Sequence, residues 1–164
     1  MAEAQHLADA LKGLFADPEH GLFTAFTVAV DGLTAAQAAA IPAPRFNSIW
    51  AVVNHVRFWQ EYTLLRLRGL TIDRQALGAA NGWPPAGDPG DEYAWRAART
   101  RAIEVNQELA ALIAQMTDDE VVQPSAPGRA SRYQVIHGII AHSSYHTGEI
   151  ISIRLLQGLW LERA

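Results

Sequence analysis

The sequence predicts an all-α fold, a single four-helix bundle, and three observations carry that expectation. Apolar residues recur at helical spacing nearly throughout, alanine and leucine are abundant, and long strand-like alternations are absent. Capping signals recur along the chain: Ser, Thr or Asp opens a segment, and glycine or a proline-rich break closes it. The 164 residues, 49% apolar and 18% charged, suffice for one domain with a substantial core and do not read as a disordered chain. Neither internal repeats nor linker-length loops interrupt the pattern, so residues 1–164 are expected to form one domain.

The elements follow in order. "EAQHLADALKGLF" reads as the first helix. Asp17 and Pro18 are placed to cap and begin a continuation through about residue 31. Thr34 and Gln37 have capping-box spacing, which predicts a short helical turn before the break at "IPAPRF". The second long helix starts near Asn47 or Ser48 and stops at Gly69, after the basic turn "RLR". "NGWPPAGDPGD", residues 81–91, is loop, and Asp88 with Pro89 is expected to open a helix that runs to about Met116. "TDDE" caps another turn and "QPSAPGRA" is loop. Ser131 and Gln134 form a second capping box, for a last long helix that ends at Gly158.

That last helix carries "AHSSYHTGEI", with His142 and His146 four residues apart. At roughly 100° per residue the two imidazoles project about 40° apart, on the stripe shared by Val135, Ile139, Ile150 and Ile153. This is a core-facing stripe. A buried, unpartnered imidazole costs about 1–3 kcal/mol, and metal coordination removes that cost. Spacing of i, i+4 brings two ring nitrogens to one ion. Ser143 stands where a zinc protease of the HExxH type would carry its glutamate, so that reading fails. The best third ligand is His55, in "SIWAVVNHVRFWQEY", mid-helix on a face shared with Ser48, Val52, Trp59 and Tyr62. Each histidine taken alone is as readily a hydrogen-bonded core residue. His6, His20 and His137 read as surface or capping residues.

Other residues near the motif have two readings each. Glu149 orients a ligand imidazole or, the favoured reading, pairs with an arginine across the bundle. Gly148 admits a close helix neighbour or is merely tolerated at a cost of up to about 1 kcal/mol. Trp50, Trp59 and Trp95 read as core, Tyr145 and Asn54 as packing residues. Trp83 either covers a pocket or anchors its loop.

Composition excludes several functions. The net charge is −4 and no Lys/Arg cluster exists, which argues against nucleic-acid and anionic-membrane binding. There is no cysteine, hence neither disulfide nor protein thiolate chemistry. The N-terminus lacks the charged start and apolar run of a signal peptide, and no run reaches the ~18 residues of a membrane span. A soluble, cytoplasmic protein is the expectation.

"SIWAVVNHVRFWQEY" followed by "HGIIAHSSYHTGEI" resembles the DinB-like family, also described as YfiT-like metal-dependent hydrolases. The resemblance rests on His55 with Trp59 four residues on, and on His142 and His146 followed by "TGE". The Gly69 stop and the "NGWPP" loop agree, in order and spacing along essentially the whole chain. It implies an up-down-down-up four-helix bundle in which His55, His142 and His146 bind a divalent metal such as zinc or nickel. It also includes transferases that use mycothiol, bacillithiol or glutathione.

Three imidazoles leave positions open for substrate, the geometry of a catalytic rather than a structural site. That geometry admits a hydrolase or a thiol transferase, and the resemblance implies a metal-dependent thiol transferase ahead of a metal-dependent hydrolase and of a non-catalytic metal-binding protein of the stress response. No catalytic residue beyond the ligands is identified. The expected partners are a small-molecule substrate, a low-molecular-weight thiol among them, and a second copy of the chain as a homodimer.

Overall fold

The computed structural model describes residues 3–17, 22–70, 83–124 and 128–160. The described residues form α1 (Glu3–Ala16), α2 (Phe26–Ala29), α3 (Ala35–Ala39), α4 (Ile49–Leu67), α5 (Glu92–Ala114), α6 (Asp118–Val122) and α7 (Arg132–Leu156). No strand occurs among them; one isolated bridge pairs Pro124 with Ser131. The fold is all-α, as expected.

The four long helices pack as a ring in which α1 and α4 each contact both α5 and α7. Contacts along the helices give their directions. Trp50 meets Trp95 at 5.4 Å and Glu61 meets Arg101 at 3.2 Å, so α4 and α5 run parallel. Asn47 bonds Glu149 and Gln60 bonds Ser143, so α4 and α7 run antiparallel. The Ala4 amide donates to Asp118, just past the end of α5, so α1 opposes α5.

The local signals act as their chemistry requires. Thr34, Thr117 and Ser131 each accept a bond from the third residue onward, and Gln37, Glu120 and Gln134 complete the three capping boxes. Ser48 caps α4 through the Ala51 amide, and Gly69 and Gly158 end α4 and α7 with φ of 76° and 72°.

Two expectations are corrected. The continuation from Asp17 to residue 31 is not helical along its length. Pro18 lies outside the described residues, Leu22–Ala25 are not helical, and α2 spans only Phe26–Ala29. Thr24, Thr27, Val28 and Val30 are weak helix formers. The stack of Phe26 on Phe15, ring centroids 4.1 Å apart, instead folds the chain back on α1. The α5 helix opens at Asp91, not Asp88. Asp91 caps it through the Ala94 amide, while Asp88 accepts from Gly90 and closes the preceding turn.

That turn is held by a contact that admits only glycine. Gly87 has φ of 97°, and a Cβ there would lie 2.4 Å from the Trp50 indole. Ser48 also donates to the Ala86 carbonyl at 2.7 Å. Ser48 and Gly87 thereby moor the segment that leads into α5 beside the first turn of α4.

The core falls into two apolar clusters. One joins α2, α3 and the first half of α4 with Trp95, Ile150 and Ile153. The other joins α1 and the end of α4 with Leu109, Ile113, Ile136 and Ile139. Between them lies a buried polar layer of Gln60, Asn106, Ser143, His146 and Thr147. Gln60 donates to the Ser143 hydroxyl at 3.0 Å and Thr147 to the Ser143 carbonyl at 2.8 Å. Trp95 is fully buried and donates its indole N–H to Leu33.

Gly148 is exposed, and a Cβ added to it would meet nothing within 4 Å. It is a tolerated helix glycine and not a point of close approach. Gly148→Ala should therefore stabilise the protein by about 0.5–1 kcal/mol, raising the thermal midpoint by roughly 2–4 °C. A lower midpoint in thermal denaturation would show that the position is constrained after all.

Candidate metal centre

The helix periods bring the three histidines together from two elements. His55 lies midway along α4, and His142 and His146 lie one turn apart on α7. One ligand atom from each falls within 4.8 Å of the other two. The His55 and His142 Nε2 atoms are 3.1 Å apart. Two nitrogens at that distance cannot both carry a proton toward each other. Either one donates to the other, or both present lone pairs to a cation between them. His55 and His146 are buried and His142 is half-buried.

Glu149 stands one turn beyond His146 and accepts from its Nδ1 at 2.7 Å. Asn47 donates to the other carboxylate oxygen of Glu149 at 3.1 Å. The expected arginine partner is thus replaced by an asparagine and by the histidine itself. The carboxylate keeps the His146 proton on Nδ1 and leaves the Nε2 lone pair free, the arrangement common in histidines that bind metal.

Two tryptophans enclose the imidazoles. Trp83 stacks on His55 with centroids 4.2 Å apart and planes within 10°, and it stands 5.8 Å from His146. It is 44% exposed, so it covers the site from the solvent side and is more than a loop anchor. Trp59 was expected in the core. It is only partly buried, with its ring edge toward His55 and His142 at 6.3 and 6.2 Å. Tyr145 is exposed and touches the His146 ring, Asn54 is partly buried, and His6 and His137 lie at the surface. His20 lies outside the described residues.

The electrostatics favour a neutral His142 ring. Burial, with smaller contributions from His146 and His55, pushes the His142 pKa down from 6.5 to about 4. Its lone pair is therefore available at neutral pH. Its Nδ1 atom is buried without a partner. A donor set of three imidazoles with no thiolate suits zinc, nickel, copper or ferrous iron. A nitrogen–nitrogen edge of 3.1 Å agrees with metal–nitrogen bonds of about 2.0–2.1 Å. The residues fit a divalent transition metal.

Alongside the histidines, a cavity of about 320 Å³ opens between α4 and α7 and reaches His142. Sequence reasoning missed Asn47, which lies 102 residues from Glu149 and carries no periodic signal. It also missed the cavity. The helical offset between His146 and Glu149 was the signal that could have found their bond.

The sign of the pH dependence follows from His142. Between pH 6.5 and about 4 the unfolded chain binds a proton that the folded ring refuses, so stability falls as pH drops through that window. Urea denaturation of chelator-treated protein should show this fall, and His142→Ala should flatten it. An equal pH dependence in the variant would remove His142 as its cause.

A family model described as the DinB superfamily matches residues 22–150. No curated protein and no solved structure matches the chain. The matched span takes in most of the chain, all three histidines, the whole of α4 and most of α7, and the chain belongs to the DinB superfamily.

Proposed function

We propose that His55, His142 and His146 hold a divalent metal, zinc or nickel, and that the protein is a metal-dependent transferase acting with a low-molecular-weight thiol. The observation that supports this reading most directly is the meeting of three imidazoles inside an apolar bundle, beside a cavity that reaches one of them. A structural metal site is closed by protein ligands; this one has three donors and an adjoining space. When bound, the ion supplies Lewis acidity and lowers the pKa of a thiol or water held there.

The chain's own residues prepare the site. Glu149, fixed by Asn47, sets the tautomer and orientation of His146. Desolvation keeps His142 unprotonated. Trp83 limits water on the outer side of His55. Among the described residues lining the cavity there is no Asp or Glu to serve as a general base. Glu149 is engaged with His146 and Asn47. That scarcity favours a nucleophile activated by the ion over hydrolysis assisted by a protein base.

Protein purified without a nickel column should retain one metal ion per chain on elemental analysis. His146→Ala should lose the ion while keeping its circular dichroism, because the long helices supply most of the burial. A variant that unfolds would show that the site is structural. Cobalt-loaded protein titrated with glutathione, bacillithiol or mycothiol should develop a sulfur-to-metal charge-transfer band. Ester or amide cleavage with no thiol response would favour the hydrolase. Neither response, with metal fully loaded, would leave a non-catalytic metal-binding role.

Glu149→Gln tests the orienting carboxylate by itself. It should weaken metal affinity by roughly 10–100-fold in a chelator competition, with little change in melting of the metal-free protein. Unchanged affinity would mean that the 2.7 Å bond has no part in holding the ion.

A further inference from the structure

The cavity beside His142 has a charge that no acidic group among the described residues pairs with. On α4 the residues Trp59, Tyr62 and Arg66 follow His55 at intervals of three or four, along one face. Opposite them, α7 contributes Val135, Ile139 and His142. The trough therefore runs from the histidines toward the end of α4, a distance of about 16 Å along the helix axis from His55 to Arg66.

Its walls are mainly aromatic and aliphatic, and Arg66 is the only charged residue among the described residues that line it. Several carboxylates are committed elsewhere. Arg101 holds Glu61, Glu104 and Glu108, and Arg99 holds Asp31. Among the described residues no acidic group pairs with Arg66. In a protein of net charge −4, an unpaired guanidinium beside an apolar trough needs another explanation than surface balance.

We infer that Arg66 binds the carboxylate of an extended, largely apolar substrate whose reacting end lies at the histidine cluster. The inference rests on the reading of that cluster as a metal site acting on a small molecule. A guanidinium presents paired N–H donors that match the two oxygens of a carboxylate. One guanidinium neutralises one negative charge. A phosphate dianion would remain under-neutralised, and two of the first three amides of α7 nearby are already committed. Ser131 takes the Gln134 amide, and Gln123 takes that of Arg132. Trp59, Val135 and Ile139 then bury the hydrocarbon between the two ends.

The test uses the full chain with 4-phenylbutyrate, its neutral amide and inorganic phosphate as probes. Binding is read by isothermal titration calorimetry on metal-free and on metal-loaded protein. The metal-free protein should prefer the acid over the amide by about tenfold or more, as expected of a bond to a charged group. Arg66→Gln should abolish the preference while leaving amide affinity unchanged, and Arg66→Lys should restore part of it. Equal binding of acid and amide by the wild type would overturn the inference, as would an undiminished preference in Arg66→Gln. So would phosphate binding tighter than the acid. Metal content on the same samples judges the metal reading separately. A preference retained by protein that holds no metal keeps Arg66 as a carboxylate site and withdraws only the metal end of the substrate.

Discussion

Three imidazoles lie side by side inside an apolar bundle, and much of the structure follows from how they are accommodated. A protonated ring there would face two others within 4.8 Å and would have one carboxylate, Glu149, nearby. The protein answers with a polar layer between two apolar clusters. Gln60, Ser143 and Thr147 bond to one another or to backbone, which offsets part of their desolvation, while Gln60 Oε1 and Asn106 Nδ2 stay buried without a partner. Glu149 is steadied by Asn47 from the segment just before α4, which locates the charge and keeps the His146 ring in one orientation. The desolvation that lowers the His142 pKa keeps the lone pair of that ring available at neutral pH.

The parallel pairing of α4 with α5 is the second organising fact. The segment that leads into α5 brings Trp83 onto His55. Ser48 performs two tasks at the point of landing. Its hydroxyl accepts the Ala51 amide as a helix cap and donates to the Ala86 carbonyl. Gly87 then lies flat on Trp50, where any side chain would collide. The helix that supplies His55 is thus begun, and its cover moored, by the same few atoms.

Much of this was legible in the sequence. The caps at Thr34, Ser48, Thr117 and Ser131 were readable because a cap is a contact over three residues. The histidine faces were readable because a helix has a fixed period. The opening at Asp91 in place of Asp88 was not, since both aspartates precede helix-compatible residues and a distant indole beside Gly87 decides between them. The failure of a long helix before residue 31 depended on Phe26 meeting Phe15. Glu149 is expected to pair with an arginine because opposite charges are the common pairing, whereas its partners lie one turn away and 102 residues distant, just before α4. Trp59 reads as core and Trp83 has two readings, because an indole serves equally as core and as wall. Long-range partners decide such cases, and periodicity carries no record of them.

The division of the three donors, two on α7 and one on α4, has a kinetic meaning. His142 and His146 cannot separate unless α7 unwinds, which would break the hydrogen bonds of a continuous 25-residue helix. His55 moves with α4. The cluster therefore has one soft coordinate, the spacing between these two antiparallel helices. That spacing is bracketed by two hydrogen bonds, Asn47–Glu149 on one side of His55 and Gln60–Ser143 on the other. Anything held by all three rings would exchange at the rate at which this pair of clasps opens, and its residence time would be set by helix separation rather than by the strength of any single bond to a ring.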